Sequence, residues 1–174
     1  EISKVSRLST PLRKLVWSDD GSQGFGLSGE DQLHWIKPDL TIRASVQLPD
    51  TALCVAAESY GEYAAVALSN GTTLLMDGPR QPLRHFTSTR PLTHLRFLTT
   101  VPGLVGIADY GMVCRFDFKG TLLWQKNTFS SVGGFCTSGD GQFIVVAGFT
   151  QGILRFDGEG DSVGSYQLGG TVNR

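Results

Sequence analysis

Ser18-Asp19-Asp20-Gly21 returns three times in altered form, as Glu58-Ser59-Tyr60-Gly61, Thr100-Val101-Pro102-Gly103 and Ser138-Gly139-Asp140-Gly141. Each stretch is short, turn-forming and closed by glycine. The closing glycines are 40, 42 and 38 residues apart. A second series, Gly29, Gly71, Gly111 and Gly152, keeps the same beat at gaps of 42, 40 and 41. Glycine supplies the positive φ that tight turns demand. A beat of this length marks a chain of repeated, turn-punctuated units.

Between the turns each unit holds four short apolar runs. The first runs are Leu12–Trp17, Ala52–Ala57, Leu92–Leu98 and Val132–Thr137. The second are Gln23–Leu27, Tyr63–Leu68, Leu104–Ala108 and Phe143–Ala147. The third are Leu33–Ile36, Thr73–Met76, Met112–Phe116 and Ile153–Phe156, and the fourth Ile42–Leu48, Leu83–Thr87, Leu122–Lys126 and Val163–Leu168. The second runs are almost unbroken apolar sequence, as in Ala64-Ala65-Val66-Ala67-Leu68, which fits strands covered on both faces. The third and fourth alternate more, as strands with one wetter face do. No segment sustains a 3.6-residue period, so almost no helix is expected. Four strands in a repeat of about 40 residues predict an all-β, β-propeller-like array of four four-stranded antiparallel blades.

The links between third and fourth runs also recur: Lys37-Pro38-Asp39, Met76-Asp77-Gly78, Asp117-Phe118-Lys119-Gly120 and Asp157-Gly158-Glu159-Gly160. Aspartate bonds its own backbone two residues on, and glycine then takes the left-handed position. With these links in place, the units resemble β-propeller repeats of the WD-repeat and quinoprotein-like kind. Arg115-Phe116-Asp117-Phe118-Lys119-Gly120-Thr121-Leu122-Leu123-Trp124 is the nearest match: an Asp turn, a glycine, then an outer-strand tryptophan. The resemblance runs over about residues 10 to 170. No unit carries the Gly-His and Trp-Asp pairs of WD repeats, and one unit has the docking tryptophan. The resemblance implies architecture and supports no quinone or other cofactor.

The whole chain, 1–174, reads as a single partial propeller domain with repeats at approximately 10–49, 50–90, 91–129 and 130–170. Val5-Ser6-Arg7-Leu8 reads as a fourth strand without a blade, and Gly169-Gly170-Thr171-Val172 as the start of another first strand. These surplus strands point to a larger ring, completed by the remainder of a longer chain or by a homo-oligomer. An open arc would otherwise expose apolar faces and edges.

Charge excludes little but excludes it clearly. With 15 basic and 16 acidic residues the net charge is −1, so no nucleic-acid footprint is expected. No apolar run reaches the 18 residues of a membrane-spanning helix. Cys54, Cys114 and Cys136 are read as small buried hydrophobes rather than a disulfide framework, which points to a reducing, cytoplasmic compartment. Asn70-Gly71-Thr72 fits a glycosylation sequon but is first a hairpin turn.

No chemistry-bearing motif emerges. His34, His85 and His94 lack ligand spacing. Asp157, Glu159 and Asp161 resemble the opening of a calcium loop without its sixth-position glycine or its final acid, and are read as a solvated turn. Gly26-Leu27-Ser28-Gly29 is misplaced for a nucleophile elbow, and Gly24-Phe25-Gly26 lies within a strand, where close packing explains it. No phosphate loop is present. What remains is one loop face, shared by the turns between second and third strands and by the links between units. It carries Glu30, Asp31, Asn70, Arg90, Asp109, Tyr110, Phe149 and Gln151. Aromatic and arginine side chains are the usual anchors of binding surfaces. Arg90, Asp109, Tyr110, Phe149 and Gln151 are therefore the candidate binding residues, with no catalytic or metal residue assigned. The expected function is a non-catalytic scaffold that meets a protein partner through this face. The alternatives are an enzyme or cofactor-binding propeller with its site in the axial funnel, and a purely structural propeller.

Overall fold

The computed structural model describes residues 10–128 and 130–167. Its strands form four sheets. The first holds β1 (Leu12–Trp17), β2 (Gly24–Ser28), β3 (Gln32–Ile36) and β4 (Ile42–Gln47). The second holds β5 (Ala52–Ala57), β6 (Ala64–Leu68), β7 (Thr72–Met76) and β8 (Arg84–Thr87). The third holds β9 (Leu92–Phe97), β10 (Gly103–Ala108), β11 (Met112–Asp117) and β12 (Leu122–Asn127), and the fourth β13 (Val132–Thr137), β14 (Ile144–Gly148), β15 (Gly152–Phe156) and β16 (Ser162–Tyr166). Strands run in chain order across each sheet and pair antiparallel. The helical content of the described residues is one 3-10 turn, Asp109–Gly111. Strand ends differ from expectation by one residue, except that the last strand ends at Tyr166; Leu168 lies outside the described residues. So do the surplus strands expected at residues 5–8 and 169–172.

The beat is more regular than the glycines suggest. The turns that open β2, β6, β10 and β14 are closed by Ser18 N to Gln23 O, Glu58 N to Tyr63 O, Leu98 N to Gly103 O and Ser138 N to Phe143 O, a spacing of 40 throughout. Gly21, Gly61 and Gly141 have φ near 70° at equivalent places, while Gly103 sits two residues further on at the start of β10, and Val101 holds the turn position. The second series is corrected likewise. Gly29 opens its loop, Gly71 and Gly111 close theirs, and Gly152 begins β15. The loops themselves, 29–31, 69–71, 109–111 and 149–151, are spaced by 40. Bulges repeat too: the pairing of first with second strand skips Arg13, Leu53, Thr93 and Gly133.

The core lies in three apolar layers between consecutive sheets. Phe25, Leu27, Leu33 and Trp35 of the first sheet meet Val55, Val66, Leu68 and Leu74 of the second. Ala65, Leu75 and Phe86 of the second meet Phe97, Leu104 and Phe116 of the third. Val105, Ile107 and Val113 of the third meet Ile144, Val146 and Phe156 of the fourth. Each sheet therefore has a leading face, toward the next sheet in the chain, and a trailing face. Outer-strand aromatics lock two of the layers. Phe86 stacks on Phe116 at 5.6 Å and lies over Gly120, where a Cβ would come within 2.8 Å of its ring. Trp124 donates its indole N–H to Gly158 O at 2.8 Å and lies over Gly160, leaving a Cβ there 2.6 Å from the ring. The tryptophan singled out in the sequence thus docks on the next sheet's Asp-Gly turn. No helix among the described residues is long and apolar enough to cross a membrane.

Candidate functional site

The loop face is built from the turns β2–β3, β6–β7, β10–β11 and β14–β15 and the links between sheets. Each link is tied down by one repeated backbone bond: Leu48 N to Asp31 O (2.7 Å), Ser88 N to Gly71 O (3.1 Å) and Thr128 N to Gly111 O (2.8 Å). Hydroxyls reinforce two of them, Ser88 Oγ to Gly71 O at 3.1 Å and Thr128 Oγ1 to Gly111 O at 3.0 Å. Thr128 then stands so close to Gly111 that a Cβ would lie 1.8 Å from its hydroxyl. Only glycine fits, so the β10–β11 loop is pinned at its closing residue.

On that pinned loop Tyr110 takes φ 59°, ψ 25° and is 72% exposed. A bulky residue in the left-handed region is uncommon and costs roughly 1–2 kcal/mol. Arg90, from the link between second and third sheets, donates to Asp109 O at 3.4 Å and places its guanidinium 5.8 Å from the Tyr110 ring centre. Thr89 beside it donates to Gln125 Oε1 at 3.1 Å. Three of the five candidate residues, Arg90, Asp109 and Tyr110, therefore converge. Phe149 and Gln151 stand on the corresponding loop of the fourth sheet, where Phe149 N bonds Ser131 O at 2.9 Å and the Phe149 ring is exposed. Glu30 and Asp31 contribute backbone carbonyls to the framework, and Asn70 Oδ1 accepts from Thr72 N at 2.9 Å, the expected turn chemistry.

The second feature is an axial groove of about 710 Å³, lined by the first strands β1, β5, β9 and β13. Among the described residues its one carboxylate is Asp19, whose Oδ2 accepts from Ser59 Oγ at 2.8 Å. Arg13, Lys14 and Arg96 line it as well. Arg13 is the bulged residue of β1, and its guanidinium donates to Gly29 O, to Glu30 O at 3.1 Å and to Ala52 O at 2.9 Å. Cys54 faces the groove, but burial pushes its thiol up to about 12 and the nearby Lys14 ammonium only partly opposes this. It is no nucleophile.

Sequence reasoning missed a hydroxyl–imidazole–hydroxyl chain on the trailing face of the first sheet. Ser28 Oγ lies 2.7 Å from His34 Nε2, and His34 Nδ1 lies 2.6 Å from Ser45 Oγ. The Ser–His distance is that of a nucleophile and its base. Ser28 is fully buried, however, and the far side of the imidazole meets a hydroxyl instead of an orienting carboxylate. Burial lowers the His34 pKa, so the ring stays neutral and bridges two hydroxyls. No signal in the sequence, six and eleven residues apart across two strands, marks the chain.

The acidic stretch of the fourth sheet is a repeated turn. Asp157 Oδ1 accepts from Glu159 N (3.0 Å) and Asp161 N (2.8 Å), as Asp117 Oδ1 does from Lys119 N (2.9 Å) and Thr121 N (2.8 Å). Among the described residues no three His, Cys, Asp or Glu side chains gather to hold a metal. Cys54 and Cys114 are buried as expected, but Cys136 is exposed, because its sheet face has no neighbour among the described residues.

No protein-family profile matches the sequence, and no curated protein matches it. Among solved structures the chain is similar to U3-55K, with a TM-score of 0.79 and 15% identity over 97% of this chain and 55% of that one. It is similar also to the WD40 repeats of RRP9, with a TM-score of 0.78, 15% identity, and the same coverage of 97% and 55%. The chain spans about half the length of these structures. Identity this low carries the fold alone, and four meandering four-stranded sheets in a row agree with it: the chain has the architecture of WD40-type β-propeller blades.

Proposed function

We propose that this chain is a non-catalytic propeller scaffold whose loop face binds a protein partner through Arg90, Asp109, Tyr110, Phe149 and Gln151. One observation carries the reading: Tyr110 is held in strained backbone, far out in solvent, with Arg90 across its ring. Packing does not require an aromatic there, and strain at an exposed residue is a mark of function. Exposed tyrosine and arginine side by side form the usual kernel of a protein interface. Among the described residues the axial groove carries a single carboxylate, and the enzyme alternative finds no convergent set of acids there to rest on. Residues 1–174 are taken as one partial propeller with repeats near 10–49, 50–90, 91–129 and 130–170. A further sheet, from a longer chain or a second copy, then seats on the leading face of the fourth sheet, where Phe143, Val163 and Tyr166 are exposed.

Affinity capture with the wild-type chain and with Tyr110→Ala/Phe149→Ala tests the partner face. Tyr60→Ala is the control, since Tyr60 is equally exposed on the opposite face. A protein held by wild type and control and lost by the double variant is the expected result. Retention of every specific partner by the double variant would remove this face as the site.

A further inference from the structure

We infer that the axial groove is a binding site for a small polyanion, a molecule bearing two or more carboxylate or phosphate groups. Among the described residues the groove carries three fixed cations, Arg13, Lys14 and Arg96, against one carboxylate, in a protein whose net charge is −1. Positive charge is thus concentrated on the axis while the rest of the chain is net negative. Among the described residues Arg13 meets no carboxylate, its partners being the carbonyls of Gly29, Glu30 and Ala52. Asp19 is engaged by the Ser59 hydroxyl. Among the described residues neither Lys14 nor Arg96 has a carboxylate within ion-pair distance, and the Lys126–Asp161 ion pair lies elsewhere.

The placement of the cations argues for more than one anionic group. Arg13 and Lys14 belong to β1 and Arg96 to β9, on either side of β5, so a molecule with anionic groups at two ends can meet a cation at each. The lining between them mixes apolar Val55, Leu95 and Phe135 with polar Ser59, Thr93 and His94. A cleft in which one sign of charge predominates raises the local concentration of the opposite charge. The volume of about 710 Å³ suits a small molecule and leaves room for water around its polar groups.

Isothermal titration with tripolyphosphate and with citrate, at matched ionic strength, tests the site, with acetate as the single-charge comparison. Saturable one-site binding of tripolyphosphate or citrate, and none of acetate, is expected; which of the two binds more tightly separates phosphate from carboxylate ligands. Lys14→Gln and Arg96→Gln should each weaken binding on the order of tenfold, the worth of one charge-assisted contact. Arg43→Gln, on exposed β4 outside the groove, should leave binding unchanged. Arg96 is itself exposed, so its variant keeps the test open should Lys14→Gln not fold. Absence of binding by either polyanion, equal binding of acetate, or equal loss in Arg43→Gln and Arg96→Gln would overturn the assignment.

Discussion

Phe86 and Tyr166 occupy the same place in the second and fourth sheets. They lie 80 residues apart, and each pairs with the third strand at an equivalent residue, Thr73 and Ile153. Phe86 is 1% exposed and Tyr166 66% exposed. The neighbouring sheet makes the difference: the third sheet offers Phe116 and Gly120 to Phe86, and no described residue lies over Tyr166. Phe143 and Tyr63 repeat the contrast. Tyr63 meets Phe118 of the next sheet edge-to-face at 5.0 Å, while Phe143 is exposed and covered only by the Arg155 guanidinium at 4.3 Å. Among the described residues, the leading face of the fourth sheet thus leaves exposed the aromatic positions that are covered in the second sheet. The trailing face of the first sheet is different again. It carries Ser28, His34 and Ser45, where the second and third sheets place buried Leu74 and Cys114 at the position of His34.

The largest effect that can break this comparison is truncation of the two aromatics. Phe86→Ala should cost about 3–5 kcal/mol in urea unfolding, from lost transfer energy and the cavity left over Gly120. Tyr166→Ala should change stability by no more than about 0.5 kcal/mol, as an exposed position does. If the two cost the same, Tyr166 is covered in solution and the leading face of the fourth sheet is not open.

This contrast also shows what the sequence could and could not disclose. Strand count, order and nearly every boundary were legible, because blade strands are short apolar runs and glycine-marked turns bound them. That Trp124 is a docking tryptophan was legible from the resemblance to quinoprotein-like repeats; that it docks on the next sheet's Asp-Gly turn was not. The face each run presents was not. Tyr166 and Phe86 look alike in a string of letters, and exposure depends on a neighbouring sheet. Cys136 was misjudged on that ground. Nor did the glycine series separate Gly103, which starts a strand, from Gly21, Gly61 and Gly141, which take positive φ. At the candidate site, the presence of Tyr110 and Arg90 on one face was legible from strand alternation. Their contact, and the left-handed backbone of Tyr110, were not, since the first joins side chains from two separate loops and the second is a conformation that tyrosine does not favour.

A smaller effect probes the first sheet's polar trailing face. Burial lowers the pKa of His34 below the ordinary 6.5. The unfolded chain therefore binds a proton before the folded one does. The stability this confers is complete above pH 6.5 and is lost as pH falls through that value toward the folded pKa, at about 1.4 kcal/mol per unit of pKa difference. Asp20, Asp117 and Asp140 have pKa values held below 3.8, Asp20 and Asp140 chiefly by serine hydroxyls and Asp117 by the Thr121 amide, so their losses fall in a more acid range. Wild type should lose stability between pH 7 and 5, and His34→Gln should show a flatter profile over that interval. Parallel profiles would mean that Ser28, His34 and Ser45 accommodate an imidazolium without cost.

The smallest effect concerns the turn that receives a docking aromatic. Gly120 and Gly160 have φ of 96° and 81°, and each lies against a ring from the preceding sheet. Leu40 holds the equivalent place in the first sheet at φ 64°, with the same turn bond, Leu40 N to Lys37 O at 2.8 Å, that Gly120 and Gly160 make to Asp117 and Asp157. Two constraints thus act on Gly120, backbone conformation and the Phe86 ring, and only the first acts on Leu40, which is exposed. Replacing Leu40 by glycine relieves roughly 1–2 kcal/mol of left-handed strain. It also frees the unfolded chain, which costs about 0.5–1 kcal/mol. The two largely offset, so Leu40→Gly should stabilise by no more than about 1.5 kcal/mol. The reverse change, Gly120→Leu, adds strain and drives a side chain into Phe86, and should cost well over roughly 2 kcal/mol by the same measurement. A large asymmetry between the two would show that the ring, rather than the turn, demands glycine. Equal and opposite shifts would show that conformation alone does, and that the first sheet's turn is as ready to receive an aromatic as the others.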